Sequence, residues 1–138
     1  MAQPVIVVVD NDLPFLELLQ DLLTEEGFRV IPHAERRTTA TLIRQEQPDQ
    51  VILNIRLEHP EAGCEVLDLI RLDPETTQIP VIICSADSNL HKKAAVLQDQ
   101  RCGLLEKPFD LDRLVSTVNT ALDAIRRNPE AHRDEPAG

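Results

Sequence analysis

Short apolar runs alternate along the chain with longer segments whose apolar residues recur at helical spacing. The runs fall at residues 4–9, 28–31, 51–57, 80–84 and 103–105. Continuous runs of Val, Ile and Leu are typical of strands that are buried on both faces. The segments between the runs have the length and periodicity of helices, so strand and helix are repeated five times. This order predicts a parallel five-stranded sheet that is covered by helices on both faces.

Capping residues place the ends of the first and last predicted helices. Asn11 or Asp12 is expected to cap the first helix, and Pro14 suits its first turn. Gly27 is expected to end that helix, since glycine is the residue most often found just past a helix end. Asp110 is the expected cap of the last helix.

The internal helices are predicted from periodicity and turn residues. A polar helix covers about residues 35–47, a loop over residues 58–63 precedes the third helix, and a weakly amphipathic fourth helix covers about residues 88–98. The apolar positions that indicate these helices are Phe15, Leu18, Leu19, Leu22 and Leu23 in the first helix, Leu42 and Ile43 in the second, Val66, Leu67, Leu69 and Ile70 in the third, and Leu111, Leu114, Val115, Val118, Leu122 and Ile125 on one face of the last.

Length and cysteine content bound the organisation of the chain. Its 138 residues suit one domain, expected over residues 1–127, and residues 128–138 have the composition of a disordered tail. No apolar run approaches the ~18 residues of a membrane span, and no signal-peptide pattern opens the chain. The three cysteines, Cys64, Cys84 and Cys102, are odd in number and lack metal-site spacing, which favours a reduced, cytoplasmic protein.

The formal net charge of -10 limits the classes of molecule that the protein is expected to bind. Binding to a nucleic acid requires clustered Lys and Arg to neutralise phosphates, so the charge argues against that class. An acidic surface instead favours solubility and partners with basic patches.

Polar residues stand at the carboxyl ends of the predicted strands. These are Asp10 and Asn11, Asn54, Ser85 and Lys107. In open parallel sheets, binding sites lie outside the carboxyl ends of the strands, so these side chains are expected to converge. A glycine-rich phosphate loop does not follow the first strand, which argues against a dinucleotide-binding or P-loop enzyme.

From residue 5 to residue 125 the sequence resembles the receiver domain of two-component response regulators. The landmarks of the resemblance are Val-Val-Asp10, Pro48-Asp49 before the run from Val51 to Leu57, then Gly63, Ser85-Ala86 and Lys107-Pro108-Phe109. Each landmark alone is a weak indication, whereas all of them in this register form a specific pattern. The resemblance implies a flavodoxin-like, doubly wound (βα)5 fold with strand order 2-1-3-4-5.

The resemblance also implies roles for the residues at the strand ends. An aspartate at the position of Asn54 would attack a phosphodonor and become an acyl phosphate. Acidic residues at the positions of Asp10 and Asn11 would join that aspartate in holding Mg²⁺, and Ser85 and Lys107 would contact the phosphoryl oxygens.

Three of these positions depart from the family pattern. Asn54 replaces the nucleophile, Asn11 replaces the second acid, and Leu104 stands where an aromatic ring that rotates on activation is common. An amide nitrogen has a delocalised lone pair and is not a nucleophile for phosphorus. With Asp10 as the remaining acid and Asp12 displaced by one residue, Mg²⁺ is expected to bind weakly or not at all. Lys107 is expected to find its partners in Asp10 and Asn54.

The first hypothesis is therefore a binding module and not an enzyme: a degenerate receiver that acts by protein–protein contact. The resemblance implies a protein partner, such as a histidine kinase, an adaptor or a regulator. The contact face would consist of the fourth predicted helix, the fifth strand and the last helix, and the same face would allow a homodimer.

Two alternatives remain open at this point. The first is a phosphorylatable receiver in which engineering replaced the acceptor aspartate by Asn54, or in which Asp10 or Asp12 accepts phosphate. The second is a small flavodoxin-like catalyst or cofactor binder. Only three Phe and no Trp or Tyr are present to stack on a flavin, so the composition disfavours it.

Overall fold

The computed structural model describes residues 3–55, 60–85, 102–106 and 110–127. Several of the predictions lie outside these residues. They concern the fourth predicted helix, the end of the third apolar run after Ile55, Lys107 and the tail over residues 128–138.

Five parallel strands form one sheet in the order β2-β1-β3-β4-β5. The strands are β1 (Val5–Val9), β2 (Arg29–His33), β3 (Gln50–Ile55), β4 (Val81–Ser85) and β5 (Cys102–Glu106). The predicted architecture and strand order are confirmed. Because the chain order reverses between β1 and β3, the carboxyl ends of these two strands border the crevice in which such sheets bind ligands.

Four helices are described. They are α1 (Leu13–Glu25), α2 (Thr39–Glu46), α3 (Pro60–Leu72) and α4 (Leu111–Arg127), with a 3₁₀ turn at Arg36–Thr38 before α2. The predicted caps are confirmed at both ends of the chain. Asp12 Oδ1 accepts the backbone N–H of Phe15 at 3.3 Å, and Asp110 Oδ1 accepts that of Arg113 at 2.8 Å. Gly27 follows α1 with a φ of 97°, a conformation that favours glycine.

Strand β2 differs from its predicted bounds of 28–31 because it continues through Pro32 to His33. The backbone N–H of Arg29 donates to Pro4 and that of Asp10 donates to the carbonyl of His33. Odd-numbered residues of β2 therefore form the hydrogen bonds to β1. The backbone nitrogen of Pro32, which carries no hydrogen, lies on the side of β2 that faces away from the sheet. Proline is tolerated there because β2 is an edge strand.

Helix α2 is shorter than the predicted range of 35–47. The hydroxyls of Thr38 and Thr39 donate to the carbonyl of Glu35, at 3.4 and 3.1 Å. Such side-chain bonds to the backbone compete with helical hydrogen bonds, and the chain makes a 3₁₀ turn before the α-helix begins. The helix ends at Glu46, and Gln47 after it adopts a left-handed conformation before Pro48.

Helix α3 corrects the prediction of a loop over residues 58–63. The helix begins at Pro60, so Gly63 lies inside it and not in a turn. Proline suits the first turn of a helix because its missing N–H would have no intrahelical partner there. The helix ends at Leu72, before Asp73 and Pro74, because the residue before a proline disfavours helical backbone angles.

Alternate residues of the central strands pack into two separate cores, one on each face of the sheet. The core under α2 and α3 contains Val7, Val9, Ile43, Val51, Leu53, Val66, Leu67, Ile70, Ile79, Val81 and Ile83. The core under α1 and α4 contains Ile6, Val8, Leu16, Leu19, Leu23, Phe28, Ile52, Ile82, Cys84, Leu105, Leu114, Val118 and Leu122. Even-numbered residues of β1, β3 and β4 therefore point toward α1 and α4.

Three leucines at apolar positions of the predicted helices are exposed. Leu18 is 50% exposed, Leu69 54% and Leu111 37%. In α1 the buried stripe consists of Leu16, Leu19 and Leu23, spaced three and four residues apart. Leu18 lies outside this stripe because a helix that packs on a sheet buries only one side.

Candidate functional site

Asp10 and Asn54 meet at the carboxyl edge of the sheet. Val9 of β1 pairs with Leu53 of β3, so the next residue of each strand lies beside the other. Both are even-numbered and point toward the face that α1 and α4 cover. The structure thus brings together two of the predicted site residues through strand register alone.

Asp10 is 2% exposed, and each of its carboxylate oxygens accepts an N–H. Oδ1 accepts the backbone N–H of Asp12 at 2.9 Å, and Oδ2 accepts Nδ2 of Asn54 at 2.5 Å. Hydrogen bonds to an ionised acceptor are stronger than neutral ones. These two contacts satisfy a carboxylate that is almost completely removed from water.

Asn54 contributes one donor and one unmatched acceptor. Its Nδ2 is committed to Asp10, whereas its Oδ1 is buried and has no hydrogen-bond partner among the described residues. A buried acceptor without a donor costs free energy. Asn54 Oδ1 therefore marks the position at this edge where a donor or a cation would be accommodated best.

The second predicted acidic-pocket position, Asn11, and the neighbouring Asp12 are both exposed. Asn11 is exposed in the bend after β1. Asp12 is exposed, and its carboxylate caps α1 through Phe15. Within the described ranges, no three His, Cys, Asp or Glu side chains are grouped so that they could hold a metal ion.

Ser85, Leu104 and Lys107 were predicted on the remaining strand ends. Ser85 is the last residue of β4 and pairs with Ile55 of β3, which places its backbone at the same edge as Asn54. Leu104 in β5 is half-buried and packs against the core under α2 and α3, so it lies on the opposite face from Asn54. Lys107 lies outside the described residues, and its pairing with Asp10 and Asn54 stays a prediction.

Gln50 is a buried polar residue that the sequence analysis missed. It begins β3, is completely buried, and donates from Nε2 to the carbonyl of Val118 in α4 at 3.2 Å. Its Oε1 has no partner in the part of the chain described. A glutamine at the start of an apolar run looks like a solvated strand end, so the sequence carried no indication of this contact.

Comparison with known proteins identifies the family. The family model described as the response regulator receiver domain matches residues 6–119, which is more than half of the chain. The chain belongs to the response regulator receiver domain family. It is therefore a domain of two-component signalling, as the resemblance implied.

Two curated relatives share 28% identity with this receiver. The nitrogen assimilation regulatory protein NtrX of Azorhizobium caulinodans aligns over 126 residues, which are 91% of this chain and 27% of NtrX. The polar-differentiation response regulator DivK of Brucella ovis aligns over 123 residues, which are 88% of this chain and 98% of DivK. The receiver thus spans about a quarter of NtrX and nearly all of DivK.

A solved structure confirms the fold of this receiver. The chemotaxis response regulator CheY4 of Vibrio cholerae superposes with a TM-score of 0.76 and 18% identity, covering 87% of this chain and 99% of CheY4. At that identity the likeness establishes the flavodoxin-like fold alone. Among the described helices of the receiver, none has the length and apolar character needed to cross a membrane.

Proposed function

We propose that this receiver acts in the cytoplasm by binding other proteins and does not accept a phosphoryl group at Asn54. The observation that carries the proposal is the hydrogen bond from Asn54 Nδ2 to Asp10 Oδ2. To form an acyl phosphate, a carboxylate oxygen must attack phosphorus and displace the leaving group of the donor. A carboxamide has no such oxygen nucleophile, and here its N–H group is already engaged.

Weak binding of Mg²⁺ is part of the same proposal. Mg²⁺ prefers anionic oxygens in near-octahedral geometry, and among the described residues of this edge Asp10 is the one buried carboxylate. Its two oxygens already accept N–H groups, and Asp12 caps α1. These residues do not fit a magnesium centre, and we expect a dissociation constant weaker than about 1 mM.

The proposed partner surface is the face formed by the predicted helix over residues 88–98, β5 and α4. A homodimer or a complex with a kinase, an adaptor or a regulator would use it. The net charge of -10 supports a partner with a basic patch, because complementary charge speeds association and excludes wrong partners.

The test is intact-mass measurement after incubation with acetyl phosphate and Mg²⁺, with Asn54→Asp treated in parallel. We expect no added phosphoryl group on the parent protein and one on the variant. A phosphoryl adduct on the parent would overturn the proposal, and peptide mapping would then locate the acceptor, with Asp10 and Asp12 as the first residues to inspect.

The runner-up function is a phosphorylatable receiver whose natural acceptor at position 54 is aspartate. The observation that favours it is that the residues and strand ends around position 54 keep the arrangement expected of a receiver. Asp10 is retained, and the register of β1, β3 and β4 aligns Asn54 with the other strand ends. Sequencing the chromosomal gene distinguishes the two functions, because an aspartate codon at position 54 would make the runner-up correct.

A further inference from the structure

The contacts of Asp10 raise the question of what compensates its charge. Asp10 is 2% exposed, and within the described residues no cation lies within ion-pair distance of its carboxylate. A buried carboxylate is costly unless it is paired or hydrogen-bonded. Here two N–H donors, from the Asp12 backbone and the Asn54 side chain, contact its two oxygens.

We propose that the Asn54 carboxamide does from within the chain what a bound divalent cation does for a group of carboxylates. Its N–H donates to Asp10 and so joins the end of β3 to the end of β1. The carboxyl edge of the sheet therefore needs no metal ion to hold these two side chains together. The inference rests on the proposed function in one respect, namely that position 54 stays a neutral amide.

The orientation of the amide follows from electrostatics. With Nδ2 toward Asp10, a partial positive charge faces the carboxylate at 2.5 Å. If the amide were turned by 180°, Oδ1 would face the carboxylate oxygen and the two acceptors would repel each other. The charge on Asp10 therefore fixes Nδ2 as the inward group and leaves Oδ1 as the buried, unmatched acceptor.

One competing arrangement is chemically reasonable. A Mg²⁺ ion could bind Asp10 Oδ2 and Asn54 Oδ1 together if the amide turned over. The ion would then gain one anionic and one weak neutral ligand, while the N–H···O bond to Asp10 would be lost. The two arrangements differ in a measurable way, because only the second makes the stability of the parent protein depend on Mg²⁺.

The experiment measures melting temperature by circular dichroism in EDTA and in 10 mM MgCl₂. For the parent we expect a difference below about 2 °C. For Asn54→Asp in EDTA we expect the melting temperature to fall by about 5–15 °C, because two carboxylates then face each other at the distance of a hydrogen bond. Mg²⁺ should restore most of that loss, since it binds both carboxylates.

Two further variants keep the test decisive. Asn54→Ala removes the donor without adding charge, so it should lose stability that Mg²⁺ does not restore. Gln45→Glu adds the same negative charge on the exposed surface of α2 and should change little in either buffer. If Asn54→Asp is unfolded in EDTA and folded in Mg²⁺, the expected rescue is observed in its extreme form.

Two outcomes would overturn the inference. The first is stabilisation of the parent by Mg²⁺ of more than about 5 °C, which would mean that the ion binds despite the amide. The second is an unchanged melting temperature for Asn54→Ala, which would mean that the contact with Asp10 stabilises nothing. Neither outcome depends on phosphorylation, so failure here is distinct from a phosphoryl adduct on the parent.

Discussion

The two ends of β3 carry the same functional group in different surroundings. Gln50 at the start and Asn54 near the end are carboxamides on the same face of the strand, and each donates one N–H while its oxygen lacks a partner among the described residues. Gln50 lies in the core and donates to a neutral backbone carbonyl of α4. Asn54 lies at the carboxyl edge and donates to a charged carboxylate.

This difference separates a structural amide from a site amide. The Gln50 hydrogen bond joins the sheet to a helix. It replaces a neutral hydrogen bond that the amide makes to water in the unfolded chain, so its net contribution to the free energy of unfolding is small. The Asn54 bond is charge-assisted and compensates a buried ion, so its removal has consequences for Asp10. Position along one strand, and not the type of side chain, decides which amide belongs to the site.

Converting the core amide to an acid should give the largest effect. In Gln50→Glu a carboxyl replaces an amide that is completely buried and faces the carbonyl of Val118. Burial disfavours the charged form, so the pKa of the new carboxyl rises in the folded state above its ordinary value of about 4.3. We expect a loss of about 3–5 kcal/mol at pH 7, the range typical of an uncompensated buried charge.

The pH dependence of this variant has a definite sign. A group whose folded pKa is raised leaves stability intact below its unfolded pKa, and stability is lost as the pH rises toward the folded pKa. Urea unfolding at pH 4 and pH 7, with the parent measured at each pH, should therefore show a loss at pH 7 that is much reduced at pH 4. Rescue by Mg²⁺, or an equal loss at both pH values, would contradict the distinction between the two ends.

Removing the partner of the site amide should give the second-largest effect. Asp10→Ala eliminates the acceptor of both the Asp12 backbone N–H and Asn54 Nδ2. We expect the free energy of unfolding to fall by about 2–4 kcal/mol, because two charge-assisted bonds are lost and their donors remain at a largely buried edge.

Asp49→Ala is the matched control for the Asp10 variant. Asp49 also joins β1 to β3, accepting the backbone N–H of Val5 at 2.7 Å, but its side chain is exposed. Water can replace this acceptor, so a loss of about 1 kcal/mol or less is expected. Equal losses in the two variants, measured by urea unfolding, would mean that burial of the Asp10 contact contributes nothing.

The sequence predicts well which strand ends form this site, because the strands depend on local residue patterns. Continuous apolar runs define the strands, and the family resemblance supplies their order. Once the register is set, the residues after Val9 and Leu53 must be neighbours. The proximity of Asp10 and Asn54 was therefore accessible before any coordinates.

The contacts that give the site its character depend on geometry that no residue pattern encodes. Which atom of Asn54 faces Asp10, and which remains unmatched, follows from the spatial contact with the Asp10 acceptor and not from the residue type. The exposure of Leu18 depends on which side of α1 packs on the sheet. The hydrogen bond from Gln50 to the carbonyl of Val118 joins residues that are 68 positions apart in the sequence, a separation over which hydrophobic periodicity carries no information.

Replacing the core amide by an apolar side chain of similar length should give the smallest effect and sharpen the comparison further. Gln50→Met removes one neutral hydrogen bond to Val118 together with the buried, unmatched Oε1. Loss of the hydrogen bond lowers the free energy of unfolding, and removal of the unmatched oxygen raises it by a similar amount. We therefore expect the free energy of unfolding to change by less than about 1 kcal/mol or to rise. Asn54→Leu, measured alongside by urea unfolding, should be clearly destabilised because it leaves Asp10 with one donor. If Gln50→Met lost as much stability as Asn54→Leu, both amides would be essential to the fold, and the distinction between a structural end and a site end of β3 would be wrong.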